Sequence, residues 1–269
     1  MDLLANRTRF WYTESGQGHP VICMHGNGLN RDMWRHFVPV LSQNYRAIVY
    51  ELRGMGESET VGKPGQKFTI QDHANDLAAI MDALKIEKAA IVAHAFGGFV
   101  SMLFASHHPE RVSAMVVFCT SAKIESEANQ AFPRWVETAE KEGMSPLIDK
   151  AMERWFSESF RAAHPEIIDL YRKMVAANPP MGYAANCRGI IEYDIRDELH
   201  RIQCPTLVIA GEQDQPTPLK DHEFIVERIP ASRLVVVPDA SHTVSEEQVD
   251  VFNKTVLEFL DQNLPGRAR

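Results

Sequence analysis

Six short, almost unbroken apolar runs punctuate this chain: Val21–Met24, Ala47–Tyr50, Ala89–Ala93, Ala114–Phe118, Thr206–Ala210 and Leu234–Val237. Runs so brief and so rich in Val and Ile suit strands that are covered on both faces. Between them the apolar residues recur at three and four instead. From Ile70 to Leu84 the recurring positions are Ala74, Leu77, Ile80, Met81 and Leu84, and similar patterns span Gly98–His107 and about Glu246–Leu264. Strand alternating with helix implies parallel pairing through right-handed crossovers. The expected class is α/β, a mostly parallel twisted sheet flanked by helices.

One stretch interrupts the rhythm. From about Ser121 to Arg201 no strand pattern stands out, and helical stretches occupy Trp135–Gly143, Pro146–Phe156, Pro165–Ala177 and Met181–Ile191. The sheet pattern resumes after Cys204-Pro205, so this is a helical lid inserted into one domain rather than a second domain. The expected division is a core of residues 1–120 and 202–269 with a lid of about 121–201.

The balance of charge narrows the partners. With 28 basic and 36 acidic residues the net charge is −8, which argues against nucleic acid or an anionic membrane. No apolar run approaches the roughly 18 residues of a membrane span. The N-terminus has neither the charged nor the long apolar region of a secretory signal, which points to the cytoplasm. Cys23, Cys119, Cys187 and Cys204 form no CxxC pair and read as buried thiols, so neither a metal nor a cofactor is expected. Oligomeric state leaves no mark in the sequence.

The chemistry-bearing residues fall at the ends of the apolar runs. Ala93-His94-Ala95-Phe96-Gly97-Gly98 follows the third run and opens a helix. It resembles the nucleophile elbow of the α/β-hydrolases in everything but its centre, where Ala95 stands in place of serine. A turn that sharp strains its central residue, and small neighbours let strand and helix close upon it. His94 reads as a packing and hydrogen-bonding residue of that turn. The resemblance extends to Asp214 in Gly211-Glu212-Gln213-Asp214 as the acid, and to His242 in Ala240-Ser241-His242 as the base. Nucleophile, acid, base is the family's chain order. His25-Gly26-Asn27-Gly28 resembles its oxyanion loop, implying that the Asn27 and Phe96 amides hold a developing negative charge. Glu51-Leu52-Arg53-Gly54-Met55-Gly56-Glu57-Ser58 resembles a further family turn, with Glu for the usual Asp, and reads as structural.

Within that superfamily, Glu153-Arg154-Trp155-Phe156, Phe160–Pro165 and Met181-Gly182-Tyr183 resemble the 3-oxoadipate enol-lactonase branch. That resemblance implies opening of a small lactone or ester, often one carrying a carboxylate. The branch places a Trp and an Arg early in its lid, where this chain reads Phe132-Pro133-Arg134-Trp135. Arg134 is therefore the candidate carboxylate clamp, with Trp135 and Trp155 as further candidate contacts.

A methyl group has no lone pair with which to attack. Loss of a nucleophile of this kind costs about 10⁶ in turnover, roughly 8 kcal/mol of barrier. The chain is expected to bind an ester or lactone and scarcely convert it. Three readings stay open: an ester or lactone hydrolase disabled by an engineered serine-to-alanine change, a natural cofactor-independent His–Asp base catalyst (an oxygenase or lyase), and a non-catalytic ligand-binding homologue.

Overall fold

Each of the six apolar runs forms a strand in the computed structural model, which describes residues 1–59, 63–124 and 130–264. The strands are β1 (Asp2–Ala5), β2 (Thr8–Ser15), β3 (Pro20–Met24), β4 (Arg46–Tyr50), β5 (Ala89–His94), β6 (Val112–Phe118), β7 (Thr206–Gly211) and β8 (Ser232–Val237). They make one eight-stranded sheet in the order β1-β2-β4-β3-β5-β6-β7-β8. β2 runs antiparallel to both β1 and β4, and every other neighbouring pair is parallel. This is the α/β-hydrolase fold. All residues of β5 and β7 are buried, as strands covered on both sides must be.

β1 and β2 were not among the expected strands. They form an edge hairpin whose residues are largely half-exposed, so the sequence Thr8–Ser15 mixes polar and aromatic side chains and forms no apolar run.

Helices cover both faces. α1 (Val38–Leu41), α2 (Ile70–Ala83) and α3 (Phe96–His107) belong to the first half of the sheet. α2 starts on a reciprocal cap, Thr69 accepting from the Asp72 amide while the Asp72 carboxylate accepts from that of Thr69. Between β6 and β7 stand α4 (Phe132–Glu142), α5 (Ile148–Trp155), α6 (Glu158–Ala163), α7 (Pro165–Ala176) and α8 (Pro180–Ile191). α6 was not anticipated, because six residues are too few to show a period; Ser157 caps it by accepting from the Phe160 amide at 3.3 Å. Residues 125–129 of the expected lid lie outside the described residues. α9 (Leu219–Val226), α10 (Val244–Glu247) and α11 (Val249–Asn263) complete the fold. The single helix expected from about Glu246 is broken at Gln248, whose φ of −134° and ψ of 58° are not helical. No helix of the described residues is long and apolar enough to cross a membrane.

Specific side chains seat the helical insertion on the sheet. Asn178, beyond α7, donates to the Gly28 carbonyl at 2.8 Å and accepts from the Gly56 amide at 3.1 Å. Asn186 donates to the Arg53 carbonyl at 3.1 Å, and Tyr171 donates to Glu246 at 3.2 Å. The turn after β4 is rigid in its own right. Buried Glu51 accepts from the Glu57 amide at 2.6 Å and from Arg31 at 3.0 Å. A side chain at Gly56 would meet the Glu51 carboxylate at 2.3 Å, so the turn closes only around glycine.

Candidate active site

β5 passes into α3 through one residue, Ala95, with φ +46° and ψ −107°. A non-glycine residue there costs about 1–3 kcal/mol and persists only where its surroundings impose it. The surroundings do so from both sides. The Ala95 amide donates to the Phe118 carbonyl at 3.0 Å, and the Ala95 carbonyl accepts from the Thr120 hydroxyl at 2.9 Å and the Phe99 amide at 3.2 Å. Close packing adds to this. A Cβ on Gly97 would lie 2.6 Å from the Met24 carbonyl oxygen, and one on Gly98 would lie 2.5 Å from the Thr120 hydroxyl. The outcome is that the Ala95 methyl faces a cavity instead of the core.

Asp214 follows β7 and His242 follows β8. The His242 Nδ1 lies 3.0 and 3.1 Å from the two carboxylate oxygens of Asp214. Thr217 donates to the same carboxylate from its amide at 3.0 Å and its hydroxyl at 2.7 Å. Burial alone would raise the Asp214 carboxyl, but the charge and hydrogen bond of His242, helped by His222 and Thr217, hold it below the usual range. A buried carboxylate accepts only, so the imidazole proton belongs on Nδ1 and the Nε2 lone pair is left as the base.

Behind this pair His94 donates from Nε2 to the His242 carbonyl at 2.9 Å. Burial, with the His242 ring beside it, pulls His94 down to about 3, so it is a neutral strut. His94, Cys119 and His242 offer donor atoms within 4.8 Å of one another. A metal would need the Cys119 thiolate, yet burial pushes that thiol far up, which favours packing as its role.

The loop after β3 is held by His25. Its Nδ1 donates to the Gly26 carbonyl at 2.9 Å and its Nε2 accepts from the Leu52 amide at 3.1 Å, while burial pulls it down to about 4. Among the described residues neither the Asn27 nor the Phe96 amide donates to a protein group. For Phe96 this follows from its place in the first turn of α3, where amides have no intrahelical acceptor.

Ala95, His242, Asn27, Phe96, Trp135 and Trp155 all line one cavity of about 680 Å³, counted to its open mouth, with Asp214 directly behind His242. Arg134 does not belong to it. On α4 the buried positions are Phe132, Val136 and Ala139, a spacing that carries Trp135 inward and leaves Arg134 exposed on the opposite face. The cation that lines the cavity is Arg154 of α5, its guanidinium 4.3 Å from the centre of the Trp135 ring. Burial lowers it from its ordinary value. Lys150, one turn earlier, stands at the mouth. Among the described lining residues these are the only Arg and Lys, and none is Asp or Glu. Sequence reasoning passed over Lys150 and Thr217 and named Arg154 only as part of a motif, not as a site residue. The spacing Leu147, Lys150, Ala151, Arg154 marks one helical face and was the available signal.

Comparison with known proteins agrees with this architecture. A family model described as the alpha/beta hydrolase fold matches residues 19–249. The 3-oxoadipate enol-lactonase 2 of Acinetobacter baylyi is 35% identical over 229 residues, 85% of this chain and 84% of that protein. The crystal structure of an enol-lactonase from Burkholderia xenovorans superposes with a TM-score of 0.92 at 30% identity, covering 97% of this chain and 99% of the other. A serine-to-alanine mutant of a meta-cleavage product hydrolase from Pseudomonas fluorescens, complexed with acetates, gives 0.81 at 27% identity, with 97% of each chain covered.

Proposed function

The chain belongs to the alpha/beta hydrolase fold family, and from that premise we propose that it is a carboxylic-ester or lactone hydrolase whose nucleophile position is occupied by an alanine introduced in place of serine. One observation carries the reading. Ala95 keeps the strained φ of +46° of a presenting turn and lines the same cavity as His242, whose Nδ1 is hydrogen-bonded to Asp214 at 3.0 Å. That strain has no use without a side chain to present.

With serine at position 95, the hydroxyl oxygen bonds to the substrate carbonyl carbon as its proton passes to His242 Nε2. The oxygen that gains charge is held by the Asn27 and Phe96 amides. Collapse breaks the bond to the alkoxy oxygen, which takes the proton back from His242. For a lactone the leaving alcohol stays tethered and the ring opens. Water then repeats the sequence on the acyl-enzyme, giving the free acid. Asp214 keeps the imidazole in one tautomer throughout. As the chain stands, it binds substrate and stops there.

The inserted helices α4 to α8 act as a lid and contribute selectivity. In a chain of net charge −8 the cavity presents Arg154 and Lys150 and no acidic lining residue, so the substrate carries an anionic group. Arg154, stacked on Trp135, is the carboxylate contact, with Trp155 beside it.

The test is Ala95→Ser, assayed on p-nitrophenyl esters and a panel of lactones. A rise in turnover of about 10⁴-fold or more is expected. No gain in the serine variant, together with an activity of the unaltered chain that His242→Ala abolishes, would replace this reading with base catalysis by the His242–Asp214 pair. No turnover in either form, with binding indifferent to His242→Ala, would leave a binding protein.

A further inference from the structure

Glu247 closes α10 and takes no part in the steps above, yet its carboxylate gathers three donors. One oxygen accepts from the Ser241 amide at 2.9 Å and lies 3.2 Å from the Thr243 hydroxyl. The other accepts from the Ser157 amide at 3.0 Å. Ser241 and Thr243 are the two neighbours of His242. Ser157 lies two residues beyond Trp155, at the end of the helix that brings Lys150, Arg154 and Trp155 to the cavity. Thr243 adds a second tie to the same helix end. Its amide donates to the Trp155 carbonyl at 3.1 Å, and its hydroxyl, 2.9 Å from that carbonyl, shares its single proton between Trp155 and Glu247.

We propose that Glu247 is a positioning residue that fastens the general base to the substrate-binding helix: one carboxylate ties together the Ser241 amide before His242, the Thr243 hydroxyl after it and the backbone just beyond α5. The proposal rests on the hydrolase reading above for its catalytic consequence, though not for its geometry. The peptide carrying the imidazole is held from behind by His94 and on the insertion side by Glu247 and Thr243. Amide bonds to a carboxylate are short and charge-assisted, so they define position better than neutral ones. Displacement of a catalytic group by about 1 Å costs on the order of 10² in rate. α5 cannot shift against the sheet without drawing on the same carboxylate. Seating of the insertion and aim of the base are therefore one structural variable.

Glu247→Gln keeps the shape but turns an NH₂ toward one of the amides, leaving a donor without an acceptor. In the chain as it stands, the His242 Nδ1 proton bonded to Asp214 is expected as a separate downfield proton NMR resonance. Glu247→Gln is expected to broaden or shift it at a temperature where the protein remains folded. With serine restored at 95, the same change is expected to lower kcat on p-nitrophenyl acetate about 10–100-fold and to change KM much less. Thr243→Val removes one hydroxyl with little change of volume. It answers the same question if the glutamine variant folds poorly, with an expected loss of about 3–10-fold. If Tm falls in either folded variant while the Nδ1 resonance and kcat per folded molecule stay unchanged, the residue is only a structural brace and the proposal is overturned. If the serine form is inactive, the hydrolase reading fails, and the NMR comparison still decides the role of Glu247.

Discussion

Ala95 and His242 come to the cavity from turns after β5 and β8, with Asp214 behind His242 from the turn after β7, whereas Trp135, Arg154 and Trp155 come to it from the faces of α4 and α5. The first group is placed by turns at strand ends: a positive φ at Ala95, and loops beyond β7 and β8 that set the Asp214 carboxylate against the His242 ring. The second group is placed by helical phase, so one position of error along the chain turns a side chain out of the cavity. Arg134 and Trp135 are adjacent in sequence, and only Trp135 lines the cavity. On the hydrolase reading proposed above, chemistry is thus built into the connections of the sheet, and selectivity into the rotation of inserted helices.

That division can be broken by substitution. The largest effect is expected on the turn side. In the serine-restored chain, Asp214→Asn should lower kcat about 10⁴-fold with little change in KM, because an amide no longer dictates the proton's place on His242. Steady-state kinetics on a p-nitrophenyl ester checks this, and a loss under tenfold would detach Asp214 from the reaction. On the helix side the effects should be smaller and fall on binding. Arg154→Met is expected to raise KM for an anionic ester about 10–100-fold and to leave that of its neutral counterpart unaltered. Equal losses on both esters would make Arg154 a packing residue.

A third prediction concerns the frame behind the turns. His25 and His94 are neutral when folded, with values of about 4 and about 3, and burial also lowers His73 and His222. Unfolded, each titrates near 6.5. Below that pH the unfolded chain binds more protons, so their contribution is complete above about 6.5 and declines as pH falls toward the folded values. In urea unfolding at a series of pH values, His94→Gln should make this decline shallower by about one proton, or ~1.4 kcal/mol per pH unit. An unchanged slope would show that His94 is charged in the folded protein. Smallest of all, Arg134→Ala should leave KM for both esters alone and shift stability by less than about 0.5 kcal/mol; a marked rise in KM for the anionic ester would restore it as the clamp.

The same contrast explains what the sequence disclosed. Five of the six strands were legible because burial on both faces leaves them almost wholly apolar, while β8, half-exposed at the edge of the sheet, was legible from its Val run alone. The edge hairpin escaped notice because Thr8–Ser15 answers to solvent on one side and so carries no continuous run. The turn residues could be named because Ala93–Gly98, Gly211–Asp214 and Ala240–His242 stand just beyond strands in an order that resembles that of the α/β-hydrolases, and only the first is marked by a sharp turn's small residues. The cavity-lining helix faces were harder. α4 begins at Phe132, and without that starting point Arg134 and Trp135 are equally plausible inward positions. Thr217 was hidden because its hydrogen bonds to Asp214 depend on the fold of a loop that carries no motif.

The fastening of residue 95 has a wider consequence. Its amide and carbonyl are bound to Phe118, Thr120 and Phe99, and none of those bonds involves the side chain. The turn therefore works as a socket: it keeps its shape with a bare methyl group in place. Any small side chain set there, a thiol as readily as a hydroxyl, would be aimed at the same point. The reactivity of this molecule is in that sense interchangeable at one atom, while the aim belongs to the rest of the chain.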